Sequence, residues 1–340
     1  MNELFLTVMF ATRNGSATLR KTLEGYRRLN HSKNWRMVII DNGSTDDTAD
    51  ILNFYKEVLP LQVYNEERPG KNLALNAGLN REEGPKADLY VFTDDDAIPM
   101  PGFLDGWLQV AKEQPSYDIF GGLVIPEFMD KPPAWLFDSE EHFGVLFAKN
   151  DRPEGKIKAT HVYGPNMAVR SWILKKGYKF DEDIGPSNKV NYAMGSETEF
   201  CVRIESKENL KTWFTHKTAV QHLVRKKQTT VEFFSGRAFR HGRGYALQQL
   251  KSDRPVGQRK MIIFSAFFTY PIFLHYILTR GKNKYNVLWK YHWQRGYLLQ
   301  QVDSTYPNYL NSSAPVKIGL SLLLAMRATF MSKGISKYNK

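Results

Sequence analysis

Three consecutive carboxylates, Asp94-Asp95-Asp96, follow an apolar run, LYVFT at 89–93. Adjacent carboxylates repel one another unless a cation or water shares the space. In extended backbone, side chains alternate direction, so Asp94 and Asp96 share one side and Asp95 takes the other. Two hard oxygens on one side suit Mg2+ or Mn2+, ions that keep positions open for phosphate-bearing substrates. Taken alone, the triplet is equally readable as a solvated acidic turn ahead of a helix. Two more polar clusters follow apolar runs in the same way: Thr12-Arg13-Asn14-Gly15-Ser16 after residues 4–11, and Asp41-Asn42-Gly43-Ser44-Thr45 at the end of 36–41. Downstream, Glu197 and Glu199 open a helical pattern over 196–204. They lie about 200° apart around the helix, so only one can face a given site. Without chemistry, Glu197 would simply stabilise the helix N-terminus.

Other catalytic patterns are missing. The chain has no G-x-x-x-x-G-K-[ST] loop, no G-x-G-x-x-G after the first apolar run and no H-E-x-x-H. These absences set aside a P-loop ATPase, a dinucleotide dehydrogenase and a zincin. A single cysteine, Cys201, excludes an internal disulfide and a multi-cysteine zinc site.

The elements that must carry these clusters alternate. Short apolar runs at 4–11, 36–41, 61–64 and 89–93 read as strands. Helical patterns at 17–29, from 45 or 46 to about 57, at 70–80 and from 101 to about 113 read as helices. Ser16 is placed to cap the first of these helices, Thr45 or Asp46 the second, and Pro101 fits the first turn of the fourth. Strand–helix repetition with short loops predicts βαβ units and an α/β, mostly parallel sheet flanked by helices. In such sheets ligands bind at the carboxyl ends of the strands, where all three polar clusters fall. Prolines at 126, 132, 133 and 153 interrupt the pattern over 115–160. A mixed segment resumes near 161, and the pattern is mainly helical after 230.

Over roughly residues 5–245 the chain resembles family 2 glycosyltransferases, inverting enzymes of the GT-A fold. The resemblance is carried by FATRNGS at 10–16, IIDNGSTDDT at 39–48, RPGKNLALNAGL at 68–79 and FTDDDAIPMPGFL at 92–104. NMAVR at 166–170 and GSETEFCVR at 195–203 complete it. It implies transfer of a sugar from a nucleotide-sugar, most commonly a UDP-sugar, with Mg2+ or Mn2+ as cofactor. The acceptor it implies is a saccharide or a lipid-linked hydroxyl in cell-surface polysaccharide synthesis. Thr12, Arg13, Asn14, Asp41, Lys71, Asp94 and Asp95 are the implied nucleotide contacts. Asp94, Asp96 and His222 are the implied metal ligands. GSETEF matches the family's acidic motif with Ser196 and Glu197 in place of its usual acidic pair. Glu197 is then the general base, with Glu199 in reserve. The implied layout is a nucleotide-sugar half over 1–115, an acceptor and catalytic half over 116–245, and a basic helical extension over 246–340. Two other functions fit the same fold: a non-catalytic nucleotide-sugar or glycan binder, and a sugar nucleotidyltransferase.

Charge divides the chain. Residues 1–210 hold 25 Lys and Arg against 32 Asp and Glu, whereas 211–340 hold 22 against 3. So basic a segment faces something anionic. Its Lys and Arg form no nucleic-acid-reading motif, so nucleic acid is not an expected partner. Residues 261–279 carry no Asp, Glu, Lys or Arg and as a helix reach about 28 Å. Basic residues flank both ends, and Pro271 and His275 lie inside. That favours helices lying in a membrane interface over a span, with packing in a helical core as the other reading. The short apolar run 318–326 fits the same interface. Residues 4–11 follow Glu3 with no basic flank, so they read as a strand rather than a secretory leader. The expected place is the cytoplasm, peripheral on the cytoplasmic face of the membrane.

Overall fold

Hydrophobic alternation in the first strands decides the layering. The computed structural model describes residues 4–29, 34–81, 87–251, 267, 272, 274–279, 283–307, 316 and 319–323. β1 (Leu6–Thr12), β2 (Trp35–Asp41), β3 (Leu61–Asn65) and β4 (Leu89–Phe92) pair in parallel. Every residue of β2 is buried, as expected for a parallel strand covered on both faces. Leu6, Val8, Phe10, Met37 and Ile39 point to one face. There they pack with α1 (Leu19–Arg28), α2 (Thr48–Lys56) and α4 (Phe103–Glu113). Met9, Val38 and Ile40 point to the other face. There they meet α3 (Lys71–Arg81), α6 (Ser171–Lys175) and α7 (Ser196–Glu208). The result is helix, sheet, helix.

Beyond β4 the sheet becomes mixed. Its order is β3-β2-β1-β4-β8-β6-β9-β5, with β7 also on β9. The added strands are β5 (Ala97–Pro99), β6 (Ile119–Phe128), β7 (Gly155–Ile157), β8 (Met167–Arg170) and β9 (Thr212–Val224). β8 runs antiparallel to both β4 and β6, while β6 and β9 are parallel. The short α5 (Phe143–Phe147) lies between β6 and β7 in the chain.

Three local expectations need correction. The proline-broken stretch 115–160 contains the ten-residue β6, with Pro126 inside it. Two residues earlier, the Val124 N–H bonds the Asn150 carbonyl rather than β9, so the proline ring falls on the side where no β9 ladder bond is lost. Ser16 does not cap α1. Its N–H bonds Asp46, and the helix starts at Leu19 after a turn closed by Thr18 N–H on the Gly15 carbonyl. Pro101 also lies outside α4, which begins at Phe103 behind Gly102 in a left-handed conformation (φ 80°).

The chain divides into two compact units. The first comprises Met1–Lys131, Phe143–Asn188 and Ser196–Lys226 and holds the sheet. The second comprises Pro132–His142, Lys189–Gly195 and Lys227–Lys340. In the second, α8 (Val231–Lys251) and α9 (Asn283–Thr305) run side by side in the same direction. Their contacts step from Phe234 with Trp289, through His241 with Trp293, to Arg243 with Gln300 and Asp303. Glycine allows the approach: a Cβ on Gly242 would lie 2.0 Å from the Trp293 carbonyl oxygen, and one on Gly296 1.9 Å from that of Phe239. Most of the apolar run 261–279, and 318 and 324–326 of the second run, lie outside the described residues. Among those described, Leu274, Ile277, Leu278, Leu322 and Leu323 are exposed, and no helix is long and apolar enough to cross a membrane.

Gly296→Ala should therefore destabilise the second unit by about 1–3 kcal/mol or more, because backbone rather than a movable side chain stands in the way. Gly319→Ala, where an added Cβ meets nothing within 4 Å, should leave the melting temperature level or slightly raised. Equal melting of the two variants in calorimetry would contradict the close packing.

Candidate active site

Parallel register brings the first two polar clusters together, since Thr12 at the end of β1 pairs directly with Asp41 at the end of β2. The loops beyond are stitched by side chains. Asn14, with φ 53°, accepts the Thr45 N–H on Oδ1 at 2.8 Å, and its own N–H donates to Ser44 Oγ at 3.0 Å. Asp41, 8% exposed, accepts the Ser44 N–H at 2.9 Å. Arg13 is exposed. The third cluster joins through Thr12, whose hydroxyl donates to Asp95 Oδ2 at 2.5 Å. Gly15 is required at this junction, because a Cβ there would sit 2.4 Å from Thr12 Oγ1 and 2.7 Å from Asp95 Oδ2. Burial and the negative charge of Asp96 push Asp95 up to about 7, against the pull of the Thr12 bond.

Asp94 and Asp96 do share a side, and the structure sets an imidazole beside them. β5 follows the triplet and pairs antiparallel with β9, setting Ala97 opposite His222. The Leu223 N–H donates to the Asp96 carbonyl at 2.8 Å. Nδ1 of His222 lies 2.6 Å from the Phe147 carbonyl, so it serves as the donor there and Nε2 is turned toward Asp96 Oδ1 at 3.2 Å. Arg225 approaches the other oxygen of Asp96 at 3.6 Å. Burial opposes the charged form of Asp96, yet His222 and Arg225 outweigh it and hold the carboxyl below its ordinary range. Burial likewise opposes a charged His222, and Asp96 outweighs it and raises the imidazole.

One ligand atom each from Asp94, Asp96 and His222 lie within 4.8 Å of one another, with Asp96 and His222 buried. A divalent cation fits this set. Two carboxylate oxygens and an imidazole nitrogen converge, and the Nδ1–H bond to a backbone carbonyl orients the ring as in metal-bound histidines. Mn2+ matches the mixed oxygen–nitrogen set better than Mg2+, which prefers oxygen alone.

Lys71 joins this cluster to α7. It opens α3, and its Nζ donates to Asp94 Oδ1 at 2.7 Å and to Glu197 Oε1 at 2.8 Å. Burial disfavours the charged lysine, but the two carboxylates outweigh that and raise its pKa. Gly164 makes room for Glu197, since a Cβ there would lie 2.4 Å from Oε1. Glu199 faces elsewhere. It is buried and bonded by Arg203 at 2.6 Å, a pair within the same helix. The divergence of the two glutamates around α7 thus separates them as their spacing requires.

Four participants escaped the sequence reading. Asn42 donates to the carbonyls of Glu66 and Arg68, both at 2.7 Å, and accepts the Gly70 N–H, fixing the loop that enters α3. Glu66, at the loop's start, grips Arg68 through both carboxylate oxygens at 2.9 Å. Asn42 stood inside a polar cluster, which was its only signal. Nothing in the sequence points to the Phe147 carbonyl or the space at Gly164, because backbone groups and voids have no letter.

The comparisons with known proteins bear on the family and the fold. A sequence profile described as glycosyl transferase family 2 matches residues 7–177, half of the chain. TuaG of Bacillus subtilis (strain 168), named for teichuronic acid biosynthesis as a glycosyltransferase, is 28% identical over 207 residues, 54% of this chain and 76% of that protein. The glucosyl-dolichyl phosphate glucuronosyltransferase of Haloferax volcanii is 19% identical over 61% of this chain and 64% of its own length. Among solved structures, S. aureus TarS in complex with UDP-GlcNAc superposes with a TM-score of 0.54 at 15% identity, covering 96% of this chain and 89% of that one. The mannosyltransferase PcManGT of Pyrobaculum calidifontis, in complex with GDP-Man and Mn2+, gives 0.53 at 15% identity, covering 99% and 81%. At that identity the superpositions speak for the fold. Fold, profile and polar strand ends coincide on one conclusion: the chain belongs to glycosyl transferase family 2 and is a glycosyltransferase of the GT-A fold.

Proposed function

We propose that this glycosyltransferase is metal-dependent and inverting, and that it moves a sugar from a nucleotide-sugar, a UDP-sugar first among candidates, to a hydroxyl of a saccharide or lipid-linked acceptor. The observation that carries the reading is the convergence of Asp94, Asp96 and His222 next to a lysine-held Glu197. UDP-GlcNAc and GDP-Man in the two superposed structures support a nucleoside-diphosphate sugar as donor. The names of the relatives support a cell-surface glycan or polyprenyl-type acceptor.

In this reading Thr12, Arg13, Asn14, Asp41 and Asp95 line the edge that receives the nucleotide, Asp94 faces its ribose or the cation, and Lys71 helps hold it. Asp94, Asp96 and His222 would hold Mn2+ or Mg2+, which supplies Lewis-acid stabilisation of the charge gathering on the leaving diphosphate. Glu197 accepts the proton of the acceptor hydroxyl as that oxygen bonds to the anomeric carbon. The bond from the anomeric carbon to the diphosphate oxygen breaks, its electron pair leaves with the diphosphate, and attack from the opposite face inverts the centre. A carboxylate base so placed contributes about 100- to 10,000-fold in rate. The pairing of Glu199 with Arg203 in the same helix supports Glu197 over Glu199 in this role.

The basic residues of 211–340, with Leu274, Ile277, Leu278, Leu322 and Leu323 exposed, support peripheral binding to an anionic, cytoplasmic membrane face.

The deciding measurement is nucleoside diphosphate release from a panel of UDP-, GDP- and dTDP-sugars, with Mn2+ or Mg2+ and with or without lipid extract. Asp96→Ala should lose metal-dependent release. Glu197→Gln should keep nucleotide binding while transfer falls by about 100-fold or more. Near-normal transfer by Glu197→Gln would move the base to another residue. Vesicles containing phosphatidylserine should pull the full chain down at low salt and release it as ionic strength rises. Cosedimentation indifferent to lipid charge would remove the membrane reading.

A further inference from the structure

α8 carries three arginines at a spacing of three, Arg237, Arg240 and Arg243, against one acid, Glu232. Residues three apart are neighbours on a helix surface. Arg243 meets its charge within the second unit, where Asp303 lies at 3.2 Å and the Gln300 side-chain oxygen at 3.0 Å. Arg240 does not. It is half-buried, no carboxylate pairs with it among the described residues, and its Nε is buried without a hydrogen-bond partner. Burial lowers its pKa, Tyr192 opposes that shift, and the charge of Arg237 adds to it. Drawing a guanidinium out of water with no anion opposite costs free energy that a bound anion would offset.

The surroundings hold this guanidinium in place rather than neutralise it. Its carbon lies 5.2 Å from the centre of the half-buried Tyr192 ring. Tyr192 belongs to the segment 189–195, which is fastened along α8 in three ways. The Met194 N–H donates to the Arg240 carbonyl at 3.1 Å, and Gln248 Nε2 donates to the Gly195 carbonyl at 3.4 Å. Gly244 admits the Met194 carbonyl, since a Cβ there would lie 1.7 Å from its oxygen. One turn before Arg240, Gly236 leaves room for Nη1, because a Cβ at 236 would lie 3.0 Å from it. Arg237 stands alongside, its guanidinium 5.9 Å from the Phe233 ring centre. All of these residues belong to the second unit. An arginine held on an aromatic ring keeps its planar N–H fork set for a bidentate partner, and phosphate and carboxylate fit that fork. With Arg237 beside it, two positive charges meet the ligand, which favours a phosphate monoester or diphosphate over a singly charged carboxylate.

Resting on the lipid-linked acceptor reading, we propose that Arg240, seated on Tyr192 with Arg237 beside it, binds the phosphate of a phosphate-bearing acceptor. The ligand class is a phosphate monoester or diphosphate joined to the acceptor's carrier. The site shares no residue with Asp94, Asp96, His222, Lys71 or Glu197, all of which belong to the first unit. A bare saccharide offers nothing for it to hold.

The test uses the full-length chain carrying Asp96→Ala, without metal, so that the cation site takes no part. It is titrated by calorimetry with octyl phosphate and with inorganic phosphate, and octyl glucoside is the uncharged control. Adding Arg240→Met should weaken octyl phosphate binding about 10- to 100-fold. Arg240→Lys should recover only part of that loss, because a point charge replaces the planar fork. Equal octyl phosphate binding with and without Arg240→Met would overturn the site. Inorganic phosphate should bind through the same arginine more weakly than the ester; tighter binding would make free phosphate the ligand and overturn the acceptor assignment. Cosedimentation with phosphatidylserine vesicles should change by less than about twofold in Arg240→Met, since a half-buried charge adds little to a surface field. A vesicle loss as large as the octyl phosphate loss would make bilayer headgroups the ligand instead. In transfer to lipid extract, Arg240→Met on the otherwise unmodified chain should raise the apparent KM for extract about tenfold, more than it moves donor KM. Lost phosphate binding with an unmoved KM for extract would overturn the acceptor role. If the unmodified chain transfers to no extract, the acceptor reading fails by itself, and the calorimetry still decides whether Arg240 binds phosphate. Matching melting temperatures of the variants exclude unfolding as the cause.

Discussion

Compensation of negative charge at the end of β4 is the constraint on which the site depends. Three carboxylates in succession cannot stay together at a buried strand end without partners. The structure answers each from a different direction. Asp94 takes Lys71 from α3, and Asp96 takes His222 from β9 and Arg225 just after it. Asp95 takes the Thr12 hydroxyl from β1, with burial and the neighbouring charge raising its proton affinity. The partners differ in kind as well as place. Asp95 faces a neutral hydroxyl, and burial raises its proton affinity, whereas Asp96 faces an imidazole and a guanidinium. One triplet thus separates into a structural member and members available to a cation.

The sheet exists in the form that delivers those partners. Its parallel half places the ends of β1, β2 and β4 on a single edge, in register at Thr12 and Asp41. Its mixed half does something the parallel half could not. β9 passes antiparallel to the three-residue β5, so a histidine 126 residues downstream lands beside Asp96. The backbone carbonyl of Phe147, at the end of α5, then orients the ring. Glycines at 15 and 164 leave the spaces that Thr12 with Asp95, and Glu197, occupy.

Much of the fold was legible because burial on both sides of a parallel strand writes a short apolar run, and a covering helix writes a 3.6-residue stripe. The four strands and four helices of residues 4–113 appear within a few residues of where those patterns put them. β6 was not legible. It contains Pro126, and only its pairing on one side makes a proline harmless there, which is a property of its neighbours. The close pairing of α8 and α9 was hidden for a similar reason. Gly242 and Gly296 look like weak points in helices until the facing carbonyls are known.

By itself the sequence determined the alternation of strand and helix, the polar strand ends and the acidic triplet, because these depend on residues adjacent in the chain. It also determined that Glu197 and Glu199 must face apart, since the helical repeat alone requires it. Only the tertiary structure decided which of them meets Lys71 and which is taken by Arg203. It also decided that Lys71 bridges two carboxylates and that His222, turned by a carbonyl oxygen, completes the group with Asp94 and Asp96. Charges and hydrogen-bond donors act over a few ångströms in space, and the separations in sequence that close to those distances are fixed by strand order and register.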